Sequence, residues 1–224
     1  MIPIRKGREP NELLRYRLDK SAGEPTYENM PANVKEAVLE SLMREQGYLC
    51  AYCMCRIPQD SSKHWPPVTI EHINPQSGTN LATALDYDNM LAVCSGNRNS
   101  DNEQLMGLGN ARLTCDACRG NSALTVNPLD SRTLTAIHYK NDGTIYSDDS
   151  VINNDLNVTL NLNCDAIRLP ETRKAAKEGL LKEVSKHRSD IQNYIQRTLE
   201  HYQTASKKPP YVGILIDWLK RHQR

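Results

Sequence analysis

The spacing of the cysteines constrains this sequence more than any other feature. Two C-x-x-C pairs with a single cysteine between them give five candidate metal ligands: Cys50, Cys53, Cys94, Cys115 and Cys118. A tetrahedral zinc site takes four ligands, and each C-x-x-C turn supplies two of them from one short loop. Five candidates therefore compete for four places. Cys55 and Cys164 have the spacing least suited to ligands and are expected to be ordinary thiols.

The remaining composition favours metal binding over disulfides. The chain has seven cysteines, an odd number. The charged N-terminus is not followed by the apolar segment of a secretory signal, and no apolar run reaches the roughly 18 residues of a membrane helix. We therefore expect a cytoplasmic protein with reduced cysteines. Redox use of Cys50 and Cys53 is disfavoured, because no βαβ pattern surrounds that pair.

Charge is distributed unevenly along the 224 residues. The net charge is only +1, yet residues 168–224 contain 13 Lys and Arg against 6 Asp and Glu. The preceding residues are correspondingly acidic. A basic tail on an acidic body indicates a polyanion or an acidic protein as partner, whereas a solvated lysine-rich helix would give the same pattern.

Hydrophobic periodicity predicts an α+β fold with short elements in its middle. The expected elements are helices at 10–20 and 31–47, strands at 134–139, 144–146 and 157–162, a long helix after Pro170 and a short one at 211–220. The expected segments are an N-terminal helical extension (1–48), a zinc-containing core (49–130), a β-hairpin segment (131–165) and a basic helical region (166–224). The mean hydropathy of −0.64 leaves residues 49–130 little apolar core, which a metal would offset.

Glu71 and His72 place a carboxylate directly beside an imidazole. A carboxylate can hold a divalent cation, while an imidazole with a pKa near neutrality can take a proton from water. A histidine taken alone is more often structural than catalytic. Its position beside a carboxylate and between two cysteine pairs favours catalysis.

Several motifs in this order resemble the zinc-stapled HNH endonucleases of the ββα-metal class. The closest resemblance is to the PtuB-type HNH proteins of retron and Septu anti-phage systems, and it covers roughly residues 1–165. The motifs are I-x-K-G-x-E-P at 4–10, E-Q-x-x-L-C-A-Y-C at 45–53, E-H-I-N-P at 71–75, L-D-Y-x-N-M-L at 85–91, C-D-x-x-R-G at 115–120 and V-N-P-L-D at 126–130.

The resemblance implies a role for each matching residue. His72 matches the general base that activates the attacking water, and Glu71 matches a metal-binding carboxylate that is usually Asp in the wider family. Asn89 matches the middle asparagine, which orients the histidine. Asp116 takes the third HNH position as a metal ligand, if residues 97–114 are an insertion within the second C-x-x-C.

Two zinc ligand sets follow from these patterns. The alignment with the family implies Cys50, Cys53, Cys94 and Cys115, which leaves Cys118 as an extra thiol. Spacing alone allows the second pair, Cys115 and Cys118, to replace Cys94. The first set is favoured.

The resemblance also implies substrates, cofactors and partners. A structural Zn²⁺ and a catalytic Mg²⁺ or Mn²⁺ are expected at separate sites, because thiolates suit the first and carboxylates the second. Arg98, Arg112 and Arg119 are candidate nucleic-acid contacts. The expected activity is cleavage of DNA, or of RNA, with a PtuA-type ATPase in the bacterial cytoplasm, and in retrons with a reverse transcriptase and its msDNA. The alternative is a zinc-stabilised module that binds nucleic acid or a partner without cleaving it.

Overall fold

The computed structural model describes residues 1–21, 23–57, 68–75, 81–98, 100 and 102–223, without the side chains of Leu81 and Ala82. These residues form an α+β fold, in agreement with the predicted class. The helices are α1 Asn11–Leu18, α2 Ala32–Glu45, α3 Leu81–Ala84, α4 Glu103–Met106, α5 Cys115–Arg119, α6 Ser131–Leu134, α7 Ser150–Asn154, α8 Leu169–Ser185, α9 Ile191–Thr204 and α10 Val212–His222. The strands are β1 Val68–His72, β2 Met90–Cys94, β3 His138–Tyr139 and β4 Ile145–Tyr146.

An antiparallel pair, β1 with β2, lies at the centre of the site described below. The register places Val68 opposite Cys94 and His72 opposite Met90. Every residue of β2 is buried, and in β1 only Glu71 and His72 are. The two polar residues thus lie at one end of the pair and the cysteine at the other.

The first two predicted helices are confirmed. Helix α2 begins after Pro31, which needs no backbone donor at a helix start. Its buried residues Val34, Val38 and Leu42 recur at helical spacing and join the core. Helix α1 is shorter than predicted and buries Leu13.

The hairpin predicted around residues 141–143 is also confirmed, although its strands are short. Strands β3 and β4 pair as His138 with Tyr146 and Tyr139 with Ile145. The side chain of Arg173 on α8 is 1% exposed and donates to the carbonyl oxygen of Gly143 at 2.6 Å. Lys177 donates to the carbonyl oxygen of Asn141 at 2.8 Å. The hairpin is therefore held by buried cations on α8 as well as by its own turn.

The strand predicted at 157–162 is wrong. Residues Asp155–Thr159 form a π-helical turn that continues α7. Leu156 and Leu160 are fully buried while Val158 is 65% exposed. In a strand these three side chains would share one face, whereas in a helix Leu156 and Leu160 share a face and Val158, two residues from each, points away from it. The buried Asp155 carboxylate accepts from the backbone N–H of Thr125 and of Val126, at 2.6 and 3.0 Å, which fixes the helical turn.

The single long helix predicted after Pro170 is also wrong, because the chain breaks it between α8 and α9. The break contains a 3₁₀ turn at Arg188–Asp190. It lets Leu180 and Val184 on α8, and Ile195 and Leu199 on α9, join the same core, with α10 packed against both helices. The predicted final helix is confirmed as α10. Among the described helices, none combines the length and the apolar character required to cross a bilayer.

The Gly143 turn gives a direct test of the fold. Gly143 has φ +91°, and a Cβ there would overlap the carbonyl of Pro170. We expect Gly143→Ala to lower the free energy of unfolding by roughly 2 kcal/mol or more, because both the backbone and the packing would be strained. Urea denaturation followed by circular dichroism measures the change.

Gly179→Ala is the matched control. Gly179 lies in α8, where a Cβ would meet no atom within 4 Å. Alanine should therefore raise stability by about 0.5–1 kcal/mol, because it loses less backbone entropy in a helix. Equal stability changes in the two variants would contradict the described hairpin packing.

Candidate functional site

Four buried cysteines form a compact cluster that could hold a metal such as zinc. The Sγ atoms of Cys50, Cys53, Cys94 and Cys115 lie within 4.8 Å of one another. Individual separations are 3.9 Å for Cys50–Cys115, 3.8 Å for Cys53–Cys94 and 3.8 Å for Cys94–Cys115. Four sulfur atoms about 2.3 Å from a tetrahedral zinc are about 3.8 Å apart. The cluster therefore has the dimensions of a tetrahedral thiolate site.

The turn that carries Cys50 and Cys53 is fixed by its backbone. The N–H of Met54 donates to the Cys50 carbonyl, and the N–H of Cys50 donates to the Cys55 carbonyl, both at 3.0 Å. Met54 adopts a left-handed conformation with φ 62°. The N–H of Ala51 donates to the carbonyl of Ala92 on β2 at 3.1 Å. The turn is thereby docked on the strand that ends at Cys94.

Gln46 completes this docking, and sequence reasoning did not identify it. Its buried side-chain amide accepts from the N–H of Ala92 at 2.8 Å and donates to the carbonyls of Ala92 and Leu49 at 2.7 and 2.9 Å. The amide thus makes the pair of hydrogen bonds with Ala92 that the backbone of a neighbouring strand would make. The E-Q-x-x-L-C motif could have identified Gln46, because it places this residue just before the cysteine turn.

The other cysteines lie outside the cluster of four. Cys118 is half-buried, with its Sγ 3.5 Å from the carbonyl of Val158, and Cys164 contacts the carbonyl of Ala111 at 3.4 Å. Cys55 is half-buried, and hydrogen bonding with the Cys50 thiol raises the pKa of Cys55 well above its usual value. Within the cluster, hydrogen bonding with Cys115 lowers the pKa of Cys94 to about 6, while hydrogen bonding with Cys50 raises the pKa of Cys115.

Arg119 is the centre of a buried network at the end of β1. It forms an ion pair with Glu71, and its Nη1 donates to the His72 carbonyl at 2.9 Å. Its Nη2 donates to the Ile73 carbonyl at 2.6 Å, and its Nε to the Ser122 carbonyl at 2.8 Å. The side chain is 1% exposed. This burial does not fit the predicted contact of Arg119 with nucleic acid, because every nitrogen of its guanidinium already has a protein acceptor.

Glu71 and Asp116 bring two carboxylates together. Burial, together with the neighbouring charge of Asp116, raises the pKa of Glu71 to about 7 against the opposing effect of Arg119. Asp116 also forms an ion pair with Arg98, at 3.3 Å from Nη2 to Oδ2. Like charges at such a site are stabilised by a shared cation, and carboxylate oxygens are the ligands preferred by Mg²⁺. The two residues therefore suit a divalent cation.

His72 lies beside this pair with its ring orientation fixed. Its Nε2 is 2.9 Å from the carbonyl oxygen of Ala84, and its ring meets that of Tyr27 edge to face, with centroids 4.7 Å apart. Burial lowers the pKa of His72, while the Ala84 carbonyl raises it. Tyr27 has no motif around it, and sequence reasoning did not identify its contact with the histidine.

Asn89 holds the segment that orients His72, as its predicted positional role requires. Its Oδ1 accepts from the N–H of Asn74 at 2.8 Å. Its Nδ2 donates to the carbonyls of Thr83 and Asn74, at 3.1 and 3.3 Å. Thr83 directly precedes Ala84, whose carbonyl contacts His72. The buried amide therefore joins the residues after β1 to the short helix that fixes the imidazole.

Arg98 and Arg112, the other two predicted nucleic-acid contacts, differ in their exposure and in the groups that they contact. Arg98 lies at the rim of the site, with its side chain 51% exposed. Arg112 is half-buried, and its Nη1 donates to the Gly109 carbonyl at 2.6 Å. Of these two arginines, Arg98 is the one whose described contacts include the carboxylate pair, through Asp116.

The comparisons with known proteins do not assign the chain to a family. No protein-family model matches the sequence, and no curated protein matches it.

The cysteine cluster predicts the metal content of the protein. We expect the purified chain to contain about one zinc ion, Cys115→Ser to lose it, and Cys118→Ser to retain it, because only Cys115 belongs to the cluster. Elemental analysis of the purified proteins measures the stoichiometry. Equal zinc contents in the two variants would contradict the assignment of Cys115 rather than Cys118.

Asn89→Ala should lower the free energy of unfolding by roughly 2–3 kcal/mol, because it leaves buried backbone groups without partners. Asn193→Ala is the control. Asn193 is exposed and contacts Asp190 on the surface, so its loss should change stability by less than about 0.5 kcal/mol. Denaturant titration compares them, and equal stabilities would show that Asn89 does not hold the loop.

Proposed function

We propose that this chain is a metal-dependent HNH-type endonuclease that hydrolyses phosphodiester bonds of nucleic acid, with DNA favoured over RNA. One observation carries the proposal: at the end of β1, His72 directly follows Glu71, whose carboxylate neighbours that of Asp116, and the charge of Asp116 acts on the His72 imidazole. The order β1, β2 and then α5, which packs on β2, supports the ββα-metal class. The motif resemblance supports the same class.

The geometry of His72 suits a general base. A carbonyl oxygen can only accept a hydrogen bond, so the contact with Ala84 requires the hydrogen on Nε2. The lone pair of the neutral ring then lies on Nδ1, which is the atom that takes a proton from the attacking water. Asn89 contributes by holding the helix that carries Ala84. Its role is therefore positional.

Glu71 and Asp116 would hold the catalytic cation, whose oxygen ligands match Mg²⁺ or Mn²⁺. Such a cation, when bound, neutralises charge on the phosphate and on the leaving oxygen. Arg119 keeps Glu71 in place from the interior. Asp116 is the more accessible of the two carboxylates, with its side chain 20% exposed.

A groove of about 610 Å³ leads to this site and supports a nucleic-acid substrate. It runs between α2 and β1, and its charged lining residues are Lys35, Arg98, Glu36 and Asp116. Cationic side chains beside the reactive carboxylates suit a phosphate backbone. The side chain of Lys35 also lies over the ring of Tyr27, at 5.2 Å from the centroid.

The family resemblance and the charge distribution together support action within an assembly. The catalytic segment is acidic overall, so it relies on other basic surfaces to concentrate a polyanion. The basic residues of 168–224 supply such a surface within the chain. The proposed context is a retron or Septu anti-phage system in the bacterial cytoplasm. There a PtuA-type ATPase, and in retrons a reverse transcriptase with its msDNA, would be the partners.

His72→Ala tests the proposal. In a cleavage assay with Mg²⁺ or Mn²⁺, with and without the PtuA-type ATPase, the variant should lose at least about 100-fold in rate on labelled DNA or RNA, because the general base is gone. Zinc content should stay unchanged, and the variant should still unfold in one cooperative melting transition at a lower temperature, because a buried ring is removed.

His187→Ala is the matched control, because His187 is exposed and stacks on Tyr194 away from the site. It should cleave at the wild-type rate. A wild-type protein that binds nucleic acid or its partner but leaves every substrate intact would support the alternative of a non-catalytic binding module. Equal cleavage by His72→Ala and wild type would exclude His72 as the base.

A further inference from the structure

The cysteine cluster and the carboxylate pair are connected by two buried side chains. The first is Tyr52, which lies within the turn between Cys50 and Cys53 and is fully buried. Its hydroxyl donates to Oε1 of Glu71 at 3.1 Å. A tyrosine hydroxyl inside a protein needs a polar partner, and here that partner is the carboxylate proposed to hold a cation. The cysteine turn thus reaches the active site directly.

The second side chain is Arg119, which lies one helical turn after Cys115 on α5. Its Nη1 donates to the Tyr52 hydroxyl at 3.2 Å and forms the ion pair with Glu71. Its contacts with the backbone of residues 72 and 73 also fix the end of β1. Tyr52 and Arg119 therefore meet on the same oxygen of Glu71 from two different parts of the cluster.

The cluster determines where these two side chains lie. The Sγ atoms of Cys50 and Cys115 are 3.9 Å apart, which joins the turn that carries Tyr52 to the helix that carries Arg119. The four thiols thus fix the separation of the two donors. A carboxylate that receives two such donors on one oxygen has a restricted orientation.

We propose that Tyr52 and Arg119 are positioning residues that hold the Glu71 carboxylate, from the four-cysteine cluster, in the orientation in which it binds a divalent cation together with Asp116. The inference rests on the proposed function for the identity of the cation site. Side chains that orient a metal ligand through hydrogen bonds commonly contribute 10- to 100-fold to metal affinity. Both side chains are buried, so they act on the site through Glu71.

The test is Mn²⁺ binding to the purified, zinc-containing chain, measured by electron paramagnetic resonance of the unbound ion. Tyr52→Phe keeps the buried ring and removes only the hydroxyl. We expect it to weaken Mn²⁺ binding by about tenfold while zinc content and melting temperature stay close to those of the wild type. A structural role alone would leave the Mn²⁺ affinity unchanged.

Tyr139→Phe is the matched control, because Tyr139 is also buried but lies in β3, and its hydroxyl contacts the N-terminal amine rather than a carboxylate. Its Mn²⁺ affinity should equal that of the wild type. If Tyr52→Phe loses zinc, Arg119→Lys is the variant that tests the inference. Lysine keeps the positive charge beside Glu71 but cannot reach all of the acceptors that the guanidinium of Arg119 contacts. It should weaken Mn²⁺ binding by a similar factor.

Wild-type affinity in Tyr52→Phe with intact zinc would overturn the inference and leave the proposed nuclease activity untouched. A wild-type chain that binds no Mn²⁺ would overturn it as well. In that case the cleavage assay with His72→Ala still decides the proposed function independently.

Discussion

The four-thiol cluster is the constraint on which the arrangement of this site depends. It brings together the turn at Cys50, the end of β2 and the start of α5, which are far apart in the sequence. The β pair has only five residues per strand, and a two-stranded sheet of that size is marginal by itself. Four buried thiols that share one metal ion would supply the missing stabilisation. The cluster therefore fixes the relative positions of the Cys50 turn, the end of β2 and the start of α5, and with them the positions of the side chains on these elements.

Buried polar side chains complete what the small apolar core leaves unsatisfied. Arg119, Arg173 and Lys177 all donate to backbone carbonyls of loops or turns, and Asp155 accepts from two backbone N–H groups. Loop backbone that enters an interior must find such partners, because a buried polar group without a hydrogen bond is costly. The low mean hydropathy of −0.64 is therefore compatible with a folded chain. Some of its polar side chains stabilise the fold by forming hydrogen bonds with buried backbone groups.

The sequence predicted local features better than features set by distant contacts. The α2 helix and the hairpin around residues 141–143 follow from their own residues, so periodicity and turn chemistry identified them. Leu156, Val158 and Leu160 alternate as in a strand, yet the pairing of Asp155 with the backbone of residues 125 and 126 selects a helical turn. The spacing of the apolar residues alone could not distinguish a strand from a helical turn.

The same limit applies to the site. The resemblance identified Glu71, His72 and Asp116 as neighbours, and the structure brings Glu71 and Asp116 together and sets His72 beside them. The sequence grouped Arg119 with Arg98 and Arg112 as candidate nucleic-acid contacts, because it does not reveal which charged side chains are buried. The burial of Arg119 follows from its position on α5, which faces the end of β1 only once Cys115 is held in the cluster. The long-range contact of Cys115 with the other thiols therefore determines that Arg119 is buried.

The two arginines give the carboxylate pair an asymmetry that suits its proposed chemistry. Arg119 and Glu71 are both almost inaccessible, with side chains 1% and 8% exposed, so separating them would leave a buried charge without its counterion. Arg98 and Asp116 are 51% and 20% exposed, and an ion pair of that kind contributes little to stability. Arg98 can therefore leave Asp116 for a phosphate at small cost, while Arg119 stays on Glu71. In the proposed reaction, Glu71 would keep its partner, and Asp116 would exchange Arg98 for the bound cation.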